Sequence, residues 1–352
     1  MTFRMLVFVL TLPLLGQDYK IAVVGLVHSH VWGHIGKVIK GDQAKLVGIA
    51  ETVPELLAEV KQRGAAGTPI YSDYVKMLDE RRPDIVWSFV ENNRHLEIVK
   101  ACAPRKINVI FEKPLASSYK DALEIQSLAR KYNIQILTNY QMAWWPSNYA
   151  AKSEVDNGAI GRMWRLRGIV GHGGPGGATG LNKWFFNWLT DPEKNGAGAL
   201  MDFGCYNALW SLWYLGKPES VYAQVNQLRP ETFPKVEDNS TMILHYQNGV
   251  GIFEGSWDLP DGYQDLEVFG LGGSVYMKNG SVELRKSKQK PQAVELQPLP
   301  PERSEPLAMM IHSLKSGKPI DGLTAVDINV EVIRIIDMAK ESVRTGGAVK
   351  WK

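Results

Sequence analysis

From Lys20 to Asn139 the chain alternates short apolar runs with longer amphipathic stretches. The runs are Lys20–Gly25, Ala44–Ala50, Asp84–Phe89, Ile107–Phe111 and Ile134–Asn139. Their interiors are almost continuously apolar, the mark of strands covered on both faces and therefore of a parallel sheet between helical layers. The covering helices are expected up to about Ile39, from Pro54 to about Arg63, over Arg94–Ala103 and over Ser118–Tyr132. This half, residues 18–140, is predicted to be an α/β Rossmann-type doubly wound domain that binds a nucleotide.

The pattern changes after Tyr140. Ser147–Asn157 reads as a helix ending at Gly158, a residue suited to a left-handed cap. A strand at Met163–Ile169 leads into the glycine-rich run His172–Gly177, and Ala199–Leu215 reads as one helix stopped by Gly216 and Pro218. Strands follow at Ser220–Gln227, Thr241–Tyr246, Gly251–Trp257, Leu266–Phe269, Ser274–Met277 and Ser281–Arg285. Asn248-Gly249 and Asn279-Gly280 are hairpin turns between them. Residues 141–304 therefore predict an α+β domain with a mainly antiparallel open sheet. Helices over Pro306–Ser316 and Ala325–Thr345 make up a segment, 305–352, expected to pack back on the core. Thr324 and Asp327 have the spacing of a capping box.

A chain of 352 residues can hold two cores, and 45% hydrophobic with 22% charged residues is ordinary for a globular protein. The net charge of +3 is not gathered into any basic run, so no nucleic-acid partner is expected. Two cysteines, Cys102 and Cys205, build no disulfide framework. Arg4 followed by the apolar stretch Met5–Leu15 resembles a signal peptide, so residues 1–17 are expected to direct export to a periplasmic or extracellular space, with a cytoplasmic protein as the alternative. The stretch is too short for a stable membrane span.

The chemistry concentrates at strand ends. Glu112-Lys113-Pro114 follows the run Ile107–Phe111, and in an open α/β sheet ligands bind outside the carboxyl ends of the strands. Asp202 and Tyr206, four apart in an expected helix, would share one face. A lysine, a carboxylate and a phenol converging on one pocket suit proton transfer beside a bound cofactor. Removing hydride from an alcohol carbon needs a base for the hydroxyl proton. Tyr206 is the expected acid/base, with Lys113 favouring its phenolate and donating to the substrate, and the reverse assignment is the alternative.

The first strand is followed by Gly25-Leu26-Val27-His28-Ser29-His30, where a dinucleotide loop has Gly-x-Gly-x-x-Gly. Gly25 keeps the first glycine, while Val27 and His30 replace the other two. Backbone amides at the helix start, with His28 and His30 beside them, would still meet a pyrophosphate. Glu51 ends the second strand, where a carboxylate accepts from ribose hydroxyls and repels a 2′-phosphate, so NAD is favoured over NADP. His28, His30 and His34 have the spacing of metal ligands, but no carboxylate or cysteine lies beside them in sequence and a nucleotide would compete for the space. No metal is predicted.

These motifs resemble those of the Gfo/Idh/MocA family, from Tyr19 onward. Glu112-Lys113-Pro114 matches the family's Glu-Lys-Pro motif. Asn92 and His95 match the ends of its Thr-Pro-Asn-x-x-His segment, with Val90 and Glu91 in place of the Thr and Pro. Gly196–Gly204 resembles its Gly-Gly-Gly-x-x-x-Asp-x-Gly stretch, and Tyr206 stands where many members have histidine. The resemblance implies an NAD(P)-dependent oxidoreductase acting on a sugar or cyclic polyol, assembled as a homodimer or homotetramer. It places Asn92, His95, Glu112 and Lys113 near the cofactor, and Lys113, Asp202 and Tyr206 at the substrate. Asn139, Gln141 and Trp144 are expected to face the cleft, with His172, Lys183, Trp184 and Asn187 as its far wall. Two other functions fit the resemblance: a redox-neutral NAD-dependent glycoside hydrolase, and a non-catalytic nucleotide or sugar sensor.

Overall fold

A computed structural model describes residues 19–352. The expected leader at 1–17 lies outside the described residues. Six strands form the first sheet: β1 (Tyr19–Val24), β2 (Ala44–Ala50), β3 (Ile70–Tyr71), β4 (Ile85–Ser88), β5 (Asn108–Glu112) and β6 (Ile136–Asn139). All are parallel, in the order β3-β2-β1-β4-β5-β6. The helices between them are α1 (Val31–Lys40), α2 (Pro54–Val60), α3 (Tyr74–Arg81), α4 (His95–Cys102) and α5 (Tyr119–Tyr132). The strand order reverses between β1 and β4, which puts the ligand crevice over their carboxyl ends.

Local chemistry fixes these bounds. Ser118 caps α5 by accepting from the Asp121 amide at 3.2 Å, and Asp73 caps α3 from the Val75 amide at 2.8 Å. The β3–α3 unit is the part of this sheet that the periodicity does not reveal. Helix α3 buries only Met77 and Leu78, and β3 is a two-residue edge, so neither carries a long apolar signal.

The second region begins with α6 (Pro146–Asp156) and β7 (Met163–Gly171), then α7 (Asn182–Leu189), α8 (Pro192–Asn195), α9 (Ala199–Asp202) and α10 (Gly204–Leu215). It continues through β8 (Ser220–Asn226), β9 (Asn239–Tyr246), β10 (Gly249–Ser256), β11 (Tyr263–Gly270), β12 (Gly273–Lys278), β13 (Ser281–Lys286) and β14 (Gln292–Ala293). It ends with α11 (Pro306–Ser316), α12 (Val326–Thr345) and β15 (Val349–Lys350). These strands make a nine-stranded sheet, β14-β13-β12-β11-β7-β10-β9-β8-β15, antiparallel except where β7 runs parallel to β10. Helix α11 packs with the core of the first sheet. Helix α12 lies between α5, α10 and β8.

Two local expectations are corrected. The single helix over Ala199–Leu215 is two, α9 and α10, broken at Phe203 (φ −108°, ψ −28°). Asp202 and Tyr206 thus share a pocket without sharing a helix face. Thr324 and Asp327 form no capping box. The Thr324 hydroxyl donates to Asp321 O and Met309 Sδ, and Asp327 accepts from Gln126 and Arg130.

Candidate active site

The crevice begins at Gly25, whose φ of +77° suits a residue without Cβ. A Cβ there would stand 2.6 Å from Val90 Cγ1, so the backbones leaving β1 and β4 meet closely. Helix α1 then starts with no side-chain cap and no acidic residue in its first turn. The amides of Val31, Trp32 and Gly33 already donate to the His28, Ser29 and His30 carbonyls, so the helix dipole is what favours an anion here. The side chains replacing the missing glycines leave the loop surface usable. Val27 lies along the groove wall, and its carbonyl accepts from the Trp188 indole at 3.3 Å. His30 turns away to Glu112 at the end of β5, with Nδ1 2.9 Å from Oε2.

Glu51 reaches back from the end of β2. It accepts from the amides of Leu26 at 2.7 Å, Thr52 at 2.6 Å and Val53 at 3.0 Å. It lines a groove of about 320 Å³ with Gly25, Val27, Thr52, Arg94 and Trp188. An open glycine turn, an uncapped helix start and a carboxylate at the second strand end fit a dinucleotide laid across the sheet.

Lys113, from the end of β5, and Asp202, from the end of α9, meet below the second sheet. Both are nearly fully buried. The ammonium donates to Asp202 Oδ1 and, at 3.0 Å, to the Asp202 carbonyl. The Trp257 indole donates to Asp202 Oδ2 at 2.8 Å. Burial opposes the charge on Lys113, but Asp202 and Tyr206 outweigh it and push its pKa up. Burial likewise opposes the Asp202 carboxylate, yet Lys113 and Trp257 hold it below the usual carboxylate range. The pair is therefore fully ionised.

Tyr206 stands over this pair, its ring centroid 5.2 Å from the Lys113 nitrogen. A lysine ammonium by itself would favour a phenolate. In the structure burial is the larger effect and pushes the phenol up, because Asp202 already neutralises Lys113. Tyr206 is a proton donor at neutral pH.

Gln141, His172, Lys113, Asp202 and Tyr206 line one cavity of about 300 Å³. Glu112, Asn139, Gln141, Trp144 and Tyr206 line an adjoining one of about 400 Å³. Asn139 donates to Glu112 at 2.8 Å and accepts from the Trp144 indole at 2.8 Å. His172, whose pKa burial lowers, accepts the Gly174 amide at 3.1 Å through Nδ1.

Other predicted residues stand elsewhere. His28 is buried against Phe185 and Trp188, and burial drives its pKa well down. Asn92 does not line the groove. Its amide donates to Asn195 Oδ1 at 2.8 Å, joining the β4 exit to the end of α8. His95 is fully buried against Phe111, with Nδ1 3.1 Å from the Leu115 carbonyl, and it supports the Lys113-Pro114 turn. Trp184 and Asn187 line the Glu51 groove rather than the far wall of the Lys113 cavity, because α7 lies across the glycine loop. Lys183 sits on the outer rim, 3.3 Å from Glu55.

Sequence reasoning missed Arg94 and Lys194 in the groove and Trp257 behind Asp202. Arg94 lies in the same segment as Asn92 and His95, which was a usable signal. Lys194 and Trp257 arrive only through the tertiary fold.

This crevice and the buried lysine–carboxylate–phenol cluster beyond it define a dinucleotide-dependent oxidoreductase of two-sheet architecture. The comparisons with known proteins give the family. A family model described as an oxidoreductase family with an NAD-binding Rossmann fold matches residues 19–140. The Gfo/Idh/MocA carboxy-terminal domain matches residues 149–276. The chain belongs to the Gfo/Idh/MocA oxidoreductases. It is 25% identical over 270 residues to the myo-inositol 2-dehydrogenase of Thermotoga maritima, covering 74% of this chain and 75% of that one. It is 27% identical over 257 residues to the levoglucosan dehydrogenase of Pseudarthrobacter phenanthrenivorans, covering 64% and 63%. Among solved structures, the aldose–aldose oxidoreductase of Caulobacter crescentus complexed with glycerol shares the fold at a TM-score of 0.80 and 19% identity, over 95% of this chain and all of that one. A levoglucosan dehydrogenase complexed with NADH and levoglucosan does so at 0.77 and 21%, over 95% and 99%.

Proposed function

We propose that this protein transfers hydride between NAD and a CH–OH group of a sugar or cyclic polyol. The observation that carries the reading is the convergence of Lys113, Asp202 and Tyr206 in one buried cavity next to the Gly25–Glu51 groove. Bound NAD supplies the hydride acceptor. The Lys113 ammonium and the Tyr206 phenol point two donors at one substrate oxygen, and Asp202 holds Lys113 in place. Alkoxide character on that oxygen is stabilised by a fixed charge in a site sheltered from water. Tyr206 returns the proton in the reductive direction. Gln141, Trp144 and His172 offer a flat apolar face and polar edges to a ring bearing hydroxyls.

The test is a titration of the apo protein with NAD and NADP, followed by a screen of sugars and inositols for NADH formation. Saturable NAD binding with turnover on a polyol supports the reading. Absence of binding at millimolar dinucleotide overturns it in favour of a sensor.

The relatives named as inositol and levoglucosan dehydrogenases support a small hydroxylated substrate. The open face of the second sheet, where Tyr222 and Ile243 are exposed, supports a homo-oligomer, to be measured by light scattering. Among the described residues no helix is long and apolar enough to cross a membrane. Export through residues 1–17 is proposed from their sequence pattern and is tested by cell fractionation.

A further inference from the structure

Three of the seven histidines fall in His28-Ser29-His30-Val31-Trp32-Gly33-His34. The sequence shows no carboxylate beside them, but the fold supplies one. Glu112 ends β5 directly opposite, and single ligand atoms of His28, His30 and Glu112 lie within 4.8 Å of one another. Glu112 is 1% exposed, and among the described residues its charge partners are imidazoles alone: His30 at 2.9 Å and His34 at 3.7 Å. Lys113, next to it in sequence, is turned to Asp202. A buried carboxylate requires a cationic partner or a metal.

We propose that His28, His30 and Glu112 hold one divalent transition cation, zinc or a close neighbour, with its open coordination position facing the cavity lined by Gln141, Trp144 and Tyr206. Two imidazoles and a carboxylate suit borderline cations, and three protein ligands leave room for an oxygen ligand. That ligand is water or the hydroxyl of a bound polyol. Metal–ligand distances of about 2.0–2.2 Å put tetrahedral ligand atoms roughly 3.4 Å apart, so the wider separations must close by roughly an ångström, while His30 and Glu112, 2.9 Å apart, need not. His30 can supply much of that movement, since it is 44% exposed and precedes α1 rather than being locked within it. His34 and Asn139 stand on the other carboxylate oxygen, at 3.7 Å and 2.8 Å, and orient it, the usual role of a group behind a metal ligand.

The site opens on the same cavity as the proposed hydride transfer, yet its test needs no dinucleotide and does not rest on that reading. The whole chain is stripped with chelator, loaded with zinc or cobalt(II), desalted and assayed for metal. About one metal per chain is expected, with visible absorption bands for cobalt. His30→Ala and Glu112→Gln are each expected to weaken retention by about tenfold or more. Metal well below one per chain, or retention unchanged in His30→Ala, overturns the proposal, the latter by marking the metal as adventitious. If Glu112→Gln does not fold, His30→Ala, made at a half-exposed side chain, decides alone.

Discussion

Tyr206 keeps its proton because burial outweighs the charge of Lys113, and that balance has a kinetic signature. Oxidation needs the phenol to give up its proton, and the ionised fraction grows about tenfold per pH unit below a raised pKa. The kcat/KM for oxidation is therefore expected to climb with pH past 9 without a plateau, while reduction, which uses the protonated phenol, stays flat through neutrality. Tyr206→Phe should abolish the climb and lower kcat by roughly 10²–10⁴-fold with NAD affinity kept. A profile that levels off near pH 7 would assign the proton to another group. Lys113→Ala should lose a similar factor and also leave Asp202 buried without its cation, so a lower Tm is expected with the lower rate. Lys113 was legible in the sequence because it follows directly on a strand, and Asp202 because it stands four residues before Tyr206 in a helical stretch. Trp257, which holds the second oxygen of Asp202, was not, since only tertiary folding brings β10 there.

At the scale of elements, the β1–α1 turn and the α8 end carry the next two tests. Gly25→Ala adds a Cβ 2.6 Å from Val90 and forces a left-handed φ on alanine. It is expected to cost about 1–3 kcal/mol of stability and to weaken NAD binding, read together by thermal melts and fluorescence titration. Asn195 donates to the Leu189 and Ala197 carbonyls while accepting from Asn92. Asn195→Ala leaves three buried polar groups without partners, and a loss of at least about 2 kcal/mol is expected in urea unfolding. An unchanged midpoint would mean that water replaces the lost amide. The five long parallel strands were readable from unbroken apolar runs. Helix α7 was not, because its aromatic side chains split between the core and the nucleotide groove and blur a one-sided pattern. Its position explains why Trp184 and Asn187 belong to the groove. The break at Phe203 was hidden for another reason: both flanking segments are helical and buried, so nothing in the periodicity marks the joint.

Across the whole molecule, buried histidines tie stability to pH. Burial brings His95 from 6.5 down to about 4 in the folded state. The unfolded chain therefore binds the extra proton first, and folding stability is full above pH 6.5 and falls as pH drops from there to about 4. A shift of that size corresponds to about 3 kcal/mol, at roughly 1.4 kcal/mol per unit. Denaturant titrations at pH 7 and pH 5 should show the loss. His95→Gln, which cannot take up that proton, should shrink it, although His28 contributes in the same direction.

The Lys113–Asp202 pair joins the end of β5 in one sheet domain to the end of α9 in the other. Expressed by itself, each half would carry one member of the pair as a lone ion in an apolar pocket, or as an exposed patch where its partner belongs. Gene fragments encoding the halves are thus poor independent modules. Complementation between them, if it occurs, should restore solubility and turnover in the same step, because the contact that seals the seam also builds the reaction centre.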